Sequence, residues 1–176
     1  MKLIESKTLG GATANVEFTS IPQTFTDLVL MVSGRSTRAT EIRDELHIRF
    51  SGDTGSNYSV RTLLGSGSGV SSGTGFFSDR LSRMDLTASG ATSNTFGNMA
   101  IYIPNYTSAV AKSVSVDTVI ENNATESYQS IIAGRWNNTS AITSIYLEPE
   151  VSDFASGSIF SLYGVLKGSD GIVTTS

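Results

Sequence analysis

Ser156-Gly157-Ser158-Ile159-Phe160-Ser161-Leu162-Tyr163-Gly164-Val165-Leu166 decides the fold. In an extended chain successive side chains point to opposite faces. Phe160, Leu162 and Leu166 then share one face, and Ile159, Tyr163 and Val165 the other. A strand apolar on both faces belongs inside a packed sheet, or between a sheet and a partner chain. Leu28-Val29-Leu30-Met31-Val32 has the same character and predicts another central strand. The stretch implies a β-sandwich closed by a terminal apolar strand, with Phe160, Leu162 and Leu166 buried.

Outward from it, period-two alternation recurs. Leu46, Ile48 and Phe50 alternate with His47 and Arg49, and Val114, Val116 and Ile120 with Ser113, Ser115 and Asp117. This is the mark of half-buried antiparallel strands. Strands are expected at 2–9, 14–19, 27–34, 45–51, 58–65, 98–104, 112–121, 128–136, 142–148 and 158–167. Pro22, Pro104 and Pro149 fall at strand ends, where a missing N–H does least harm. Helical periodicity is nearly absent. Thr40–Glu45 is the best candidate for a turn or two, and Asp79–Leu86 reads as a short helix or an irregular strand. Lys112–Leu147 reads as a three-stranded meander turning at Asn122-Asn123 and Asn137-Asn138. The expected fold is an all-β, jelly-roll-like antiparallel β-sandwich of about 8–10 strands. It forms a single domain over residues 1–176, with long flexible loops at 65–75 and 87–95.

Composition removes several function classes. Apolar residues make up 39 % of the chain and charged ones 16 %, so the surface must be largely Ser, Thr, Asn and Gly. A net charge of −4 argues against nucleic acid as a main partner, because phosphate binding needs clustered Lys and Arg. Arg35, Arg38 and Arg43 do cluster, but Glu41, Asp44 and Glu45 sit among them, which reads as a mixed-charge solvated loop. There is no cysteine, which excludes disulfides, thiolate catalysis and Cys-based metal sites. His47 is the single histidine, so no site can rest on paired histidines of one chain. No apolar run reaches the ~18–20 residues that span a bilayer. Glu5 stands where an export signal would be apolar, so a soluble protein made in a cytoplasm is expected.

Candidate chemistry is sparse. His47 falls on the face opposite Leu46, Ile48 and Phe50, so it is expected at the surface or an interface, with no nucleophile motif beside it. Gly52-Asp53-Thr54-Gly55-Ser56-Asn57 has too few carboxylates for an EF-hand loop and reads as an Asx turn. The glycine-rich 65–75 stretch lacks the Lys-Ser/Thr ending of a phosphate loop. Glu148 and Glu150, flanking Pro149, come nearest to a hydrolytic carboxylate pair. Trp136, Tyr128, Tyr146 and Tyr163 suit a sugar-stacking platform less well than core or subunit interface. No catalytic residue, cofactor or metal is expected. His47, Trp136, Tyr146 and Tyr163 are the expected interface residues.

Two stretches carry a family resemblance. Leu46-His47-Ile48-Arg49-Phe50-Ser51-Gly52-Asp53-Thr54-Gly55-Ser56-Asn57-Tyr58-Ser59 resembles a segment common in small structural proteins of tailed bacteriophages. There a strand ends in Phe-Asn-Gly-Asp and the next begins at an Asn-Tyr pair. Ser158–Val165 resembles their terminal Ser-x-Phe-x-Leu-Tyr-Gly-Ile strand. Here Ser51 replaces the usual Asn, and Val165 the usual Ile. The resemblance implies an enzymatically inert jelly roll that assembles as a homotrimer. It implies a capsid decoration (cement) protein on the virion surface, bound to the major capsid protein and bridging neighbouring capsomers. The alternative within the same group is a tail or fibre-associated protein that binds host surface glycan. No nucleic acid or membrane partner is implied.

Overall fold

Strand after strand, residues of one parity are buried and those of the other are not. In the computed structural model, which describes residues 1–122 and 126–166, this alternation yields twelve strands and no helix among the described residues. They are β1 (Lys2–Thr8), β2 (Val16–Phe18), β3 (Asp27–Gly34), β4 (Arg43–Phe50), β5 (Tyr58–Gly65) and β6 (Val70–Ser78). There follow β7 (Leu81–Thr87), β8 (Gly97–Ile103), β9 (Lys112–Ile120), β10 (Tyr128–Trp136), β11 (Ile145–Pro149) and β12 (Ile159–Val165). An eight-stranded sheet, β1-β12-β3-β8-β9-β10-β5-β6, faces a four-stranded one, β2-β11-β4-β7. Their ladders are antiparallel.

This order is that of a jelly roll with additions. With β8-β9-β10 counted as one element, the strands from β2 to β11 alternate between the sheets except at the β5–β6 hairpin, as two Greek keys do. β1 and β12 extend the large sheet beyond β3. The sheets enclose one hydrophobic cluster. Phe18, Leu46, Ile48, Phe50, Leu81, Met84, Ile145 and Leu147 enter it from the small sheet. Leu28, Leu30, Val32, Ile101, Val116, Ile132, Phe160 and Leu162 enter from the large one. Each such side chain contributes roughly 1.5–3 kcal/mol on burial.

The terminal strand confirms its reading with one correction. Phe160 and Leu162 are fully buried and Phe160 packs edge-on against Phe154 at 4.8 Å. Leu166, expected inside, is 44 % exposed, because the ladder to β3 ends at Val165 opposite Asp27. Gly164 is required where it stands: a Cβ there would overlap the Phe25 ring.

Both expected flexible loops are ordered by bonds that composition conceals. Residues 65–75 are the end of β5, a tight turn and most of β6. The turn closes with Ser66 N–H donating to Gly69 O at 3.0 Å, and Gly67 adopts φ +77°. Ladder pairing with β5, not strand propensity, holds this Gly/Ser-rich edge. The 87–95 connection wraps around the Arg35 guanidinium. Its Nη1 donates to the carbonyls of Thr92 and Thr95 at 2.9 and 2.8 Å, and its Nη2 to those of Ser89 and Ala91 at 3.0 Å each. Burial lowers the pKa of this guanidinium.

Two further expectations change. Thr40–Glu45 forms no helix, and its last three residues open β4. Lys112–Leu147 is not a meander throughout: β9 and β10 pair, but β11 crosses to the small sheet between β2 and β4. The crossing is fixed by Asn137 N–H to Asn57 O at 2.7 Å and Ile142 N–H to Tyr106 O at 2.9 Å. The buried Lys112 ammonium donates to Ser108, Val110 and Ser140 carbonyls at 2.7–2.8 Å. The turn expected at Asn122-Asn123 extends outside the described residues.

Candidate functional site

The segment after β4 is a knot centred on Asp53. Ser51 and Gly52 take left-handed backbone, φ +51° and +69°, reversing the chain. Left-handed φ at position 51 is a conformation that favours Asn or Gly over Ser. Asp53 Oδ1 accepts from Gly55 N–H at 2.8 Å, the expected Asx turn. Its Oδ2 accepts from Asn57 Nδ2 at 2.9 Å, Trp136 Nε1 at 2.7 Å and Asn138 Nδ2 at 3.3 Å. Burial alone would raise this carboxyl, but those donors outweigh it and hold the pKa below the ordinary value. Both oxygens face N–H donors, which suits no cation, so the turn is a clamp and not a calcium loop. Tyr58 adds a hydroxyl bond to Asp53 O at 3.2 Å, and its ring stacks on Trp136. Trp136 is therefore core, 1 % exposed, and the expectation that it forms an interface is corrected. Its indole needed an acceptor, and the turn supplies one from 83 residues away.

The outward face of the small sheet carries the densest charge in the described molecule. β4 contributes Glu45, His47 and Arg49, and β11 contributes Tyr146 and Glu148. A bulge sits opposite His47: Leu46 pairs with Met84 but Ile48 with Leu81, leaving Ser82 and Arg83 against one residue. Arg83 adopts φ +69° there, and its N–H donates to Glu45 Oε2 at 3.0 Å. Bulges of this kind re-aim side chains. His47 is 7 % exposed, not the surface residue expected, because Arg80 lies across it with Nη1 3.4 Å from Nδ1. Burial and then the Arg80 charge lower its pKa.

Glu148 is the hub of this face. Its Oε1 pairs with Arg49 at 2.8 Å and Arg80 at 3.2 Å, and its Oε2 accepts the Tyr146 hydroxyl at 3.1 Å. Asp79 takes Arg80 at 2.7 Å and Arg49 at 3.3 Å, and the Arg80 bond brings its carboxyl down to about 2. Tyr146 lies half-buried beneath the Arg49 guanidinium, 5.7 Å from ring centre. Glu148 and Glu150 thus form no hydrolytic pair. The first is neutralised by arginines, and the second leans on Arg38 at 3.8 Å.

A second polar cluster opens between the sheets at their β5–β7 end. A cavity of about 170 Å³ is lined by Arg43, Glu45, Thr62, Arg83, Asp85 and Ser130, among others. Asp85 accepts from Ser130 Oγ and from Arg43 Nη1, the latter at 3.3 Å. Burial raises its pKa. Sequence reading missed this cluster because β7 and β10 meet only through the fold. The available signal was an acid, Asp85, wedged between Met84 and Leu86.

Tyr163 is half-buried on the outward face of the large sheet, opposite Val29. Tyr146 and Tyr163 therefore lie on different sheets, and with Trp136 buried no sugar-stacking platform is assembled. The large sheet's outward face instead sets exposed apolar side chains among Arg61, Asp117 and Arg135. Met31 is 39 % exposed, Leu63 50 %, Tyr102 40 % and Ile131 59 %. Cross-strand pairing sets Met31, Ala100, Asp117, Ile131 and Leu63 in one row. Next to it runs a groove of about 630 Å³ lined by Arg61, Tyr102, Pro104, Ile131, Ala133 and Arg135, among others.

No family model matches the sequence. No curated protein matches it either. Among solved structures the chain has a weak likeness to the crystal structure of Scytalido-glutamic peptidase with a peptide-based transition state analog. Identity is 14 %, the TM-score 0.27, and the alignment covers 96 % of this chain and 73 % of that one. A likeness of this size carries no argument about fold or activity.

Proposed function

We propose that this chain is a non-enzymatic structural protein of a phage virion, a capsid decoration protein that binds the outer shell as a homotrimer and ties neighbouring capsomers together. The observation that carries the reading is the set of exposed apolar side chains on the outward face of the eight-stranded sheet, Met31 and Tyr102 on adjacent β3 and β8 and Ile131 and Leu63 on adjacent β10 and β5. An exposed apolar surface of this kind marks a site that another protein covers. The resemblance of the Phe50–Tyr58 and Ser158–Val165 segments to phage structural proteins supports it. So does the structural use of their polar residues: Asp53, Asn57 and Tyr58 are bonded within the fold. Major capsid protein is the partner this reading names. Quantifying copies per particle tests it: hundreds are expected, while tens or fewer, with density confined to the tail, would overturn it.

The alternative, a tail or fibre-associated protein that holds host surface glycan, has one observation in its favour. The 170 Å³ cleft beside Asp85 is lined by hydroxyls, carboxylates and guanidinium groups, which suit a single sugar ring. Binding of host polysaccharide that is lost in Asp85→Ala would favour it over the capsid reading.

A further inference from the structure

We propose that Glu45, His47 and Glu150 form a binding site for one divalent transition-metal ion of the Zn²⁺ type. One ligand atom from each lies within 4.8 Å of the others. Glu45 and His47 are two apart on β4 and so share its outward face. Glu150 follows β11, where its N–H bonds Glu45 O at 2.8 Å, which sets its Cα beside that strand. Two ligands thus sit on β4 and the third on the residue after β11 that is hydrogen-bonded to it, the kind of support a metal site requires.

The imidazole points to the ligand. Its side chain is 9 % exposed, and its Nε2 faces Glu45 Oε2 at 3.9 Å, beyond hydrogen-bond reach. Among the described residues this nitrogen makes no hydrogen bond. Two carboxylates and a neutral imidazole carry a charge of about −2, which matches a dication, and such mixed N/O sets suit Zn²⁺. Donors bound tetrahedrally at ~2.1 Å lie about 3.4 Å apart. The Glu150 side chain, 45 % exposed, closes the difference by giving up its 3.8 Å pairing with Arg38. The surrounding cavity of about 300 Å³, lined also by Ser78, Arg80, Ser82 and Arg83, leaves room for a water as fourth ligand.

Arg80 is the competitor. Its Nη1 at 3.4 Å donates towards His47 Nδ1, which keeps the ring proton on Nε2. Metal at Nε2 requires the other tautomer. Arg80 must then withdraw towards Asp79, which its Nε and Nη2 already hold at 2.8 and 2.7 Å.

The chain has one histidine and no cysteine, so background binding of Zn²⁺ is low. Calorimetric titration of the full chain with Zn²⁺ alone should give one site per chain at micromolar affinity. Zinc should also shift the single imidazole's NMR signals. Glu150→Gln, at an exposed position past a strand end, should weaken binding at least tenfold while the circular dichroism spectrum is unchanged. His47→Gln should do the same, and Arg80→Gln should tighten binding. Absence of stoichiometric binding at millimolar Zn²⁺, or equal affinity in the wild type and Glu150→Gln, overturns the site. Unchanged affinity in Arg80→Gln overturns the assigned competition.

Discussion

The two outward faces of this sandwich are built from the same alternation and finished in opposite ways. On the small sheet, outward residues are charged and partnered within the chain: Arg49, Arg80, Glu148, Asp79 and Tyr146 bond one another. On the large sheet charged residues such as Arg61, Asp117 and Arg135 are interspersed with Met31, Leu63, Tyr102 and Ile131, which are left to solvent. A face whose charges are paired within the chain gains little from a covering surface. A face that leaves apolar side chains unburied gains from any surface that covers them. Alternation locates a face. The residue types on it decide whether the face serves the fold or a partner.

The comparison breaks most visibly in assembly. Ile131→Asp combined with Leu63→Asp should reduce self-association and particle binding by a factor of 100 or more, taking roughly 2 kcal/mol for each central apolar contact. The melting temperature of the variant should stay near wild type. A parallel loss of folding would place both residues in the core's service, and retained binding would move the docking surface elsewhere.

The next effect lies on the charged face. Glu148→Ala strands two partly buried guanidinium groups and a hydroxyl, and should cost about 2–3 kcal/mol in urea denaturation. Ile131→Ala, equally outward on the other sheet, should stay within about 0.5 kcal/mol. Equal costs would erase the distinction between the faces.

Acid sharpens it further. Asp79, held down chiefly by its bond to Arg80, titrates at about 2 in the folded chain, and the Asp53 carboxyl is lowered as well. A carboxyl whose folded pKa lies below its unfolded value of about 3.9 contributes stability that is present above that value and is lost as pH falls through the folded one. The urea midpoint should therefore drop between about pH 4 and pH 2. In Asp79→Asn the drop should be smaller, and in Ile131→Ala unchanged from wild type.

Salt gives the smallest effect. At about 1 M NaCl, where the screening length is near 3 Å, the stability gap between wild type and Glu148→Ala should narrow by less than about 1 kcal/mol. The gap between wild type and Ile131→Ala should not move.

The parts legible in the sequence were those governed by local pattern. β4, β9 and β10 followed from alternation, β3 and β12 from apolar residues on both faces, and the Asx turn at Asp53 from residue type. What escaped depended on partners distant in sequence. The Gly/Ser stretch forming β6 resembles a linker until β5 is laid beside it. The 87–95 segment resembles a mobile loop until the Arg35 guanidinium is placed at its centre. Trp136 read as an interface residue because nothing local announces its bond to Asp53. His47 was assigned to the correct face and the wrong environment, since the bulge at Arg83 and the reach of Arg80 are consequences of sheet pairing.

The pairing of β1 with β12 and of β2 with β11 also sets a schedule. Of these twelve strands the first two in sequence pair with the last two. A nascent chain can pair β4 with β7 or β5 with β6 while synthesis continues, but β3 keeps a bare edge and a bare apolar flank until β12 has emerged. Loops this long must close before their contacts reward closure, which places folding in the slow, millisecond-to-second range of all-β proteins. For that interval Leu28–Val32 is an apolar strand that β8 alone can pair, so yield in the cell should depend on temperature and expression rate more steeply than the finished protein's stability would suggest.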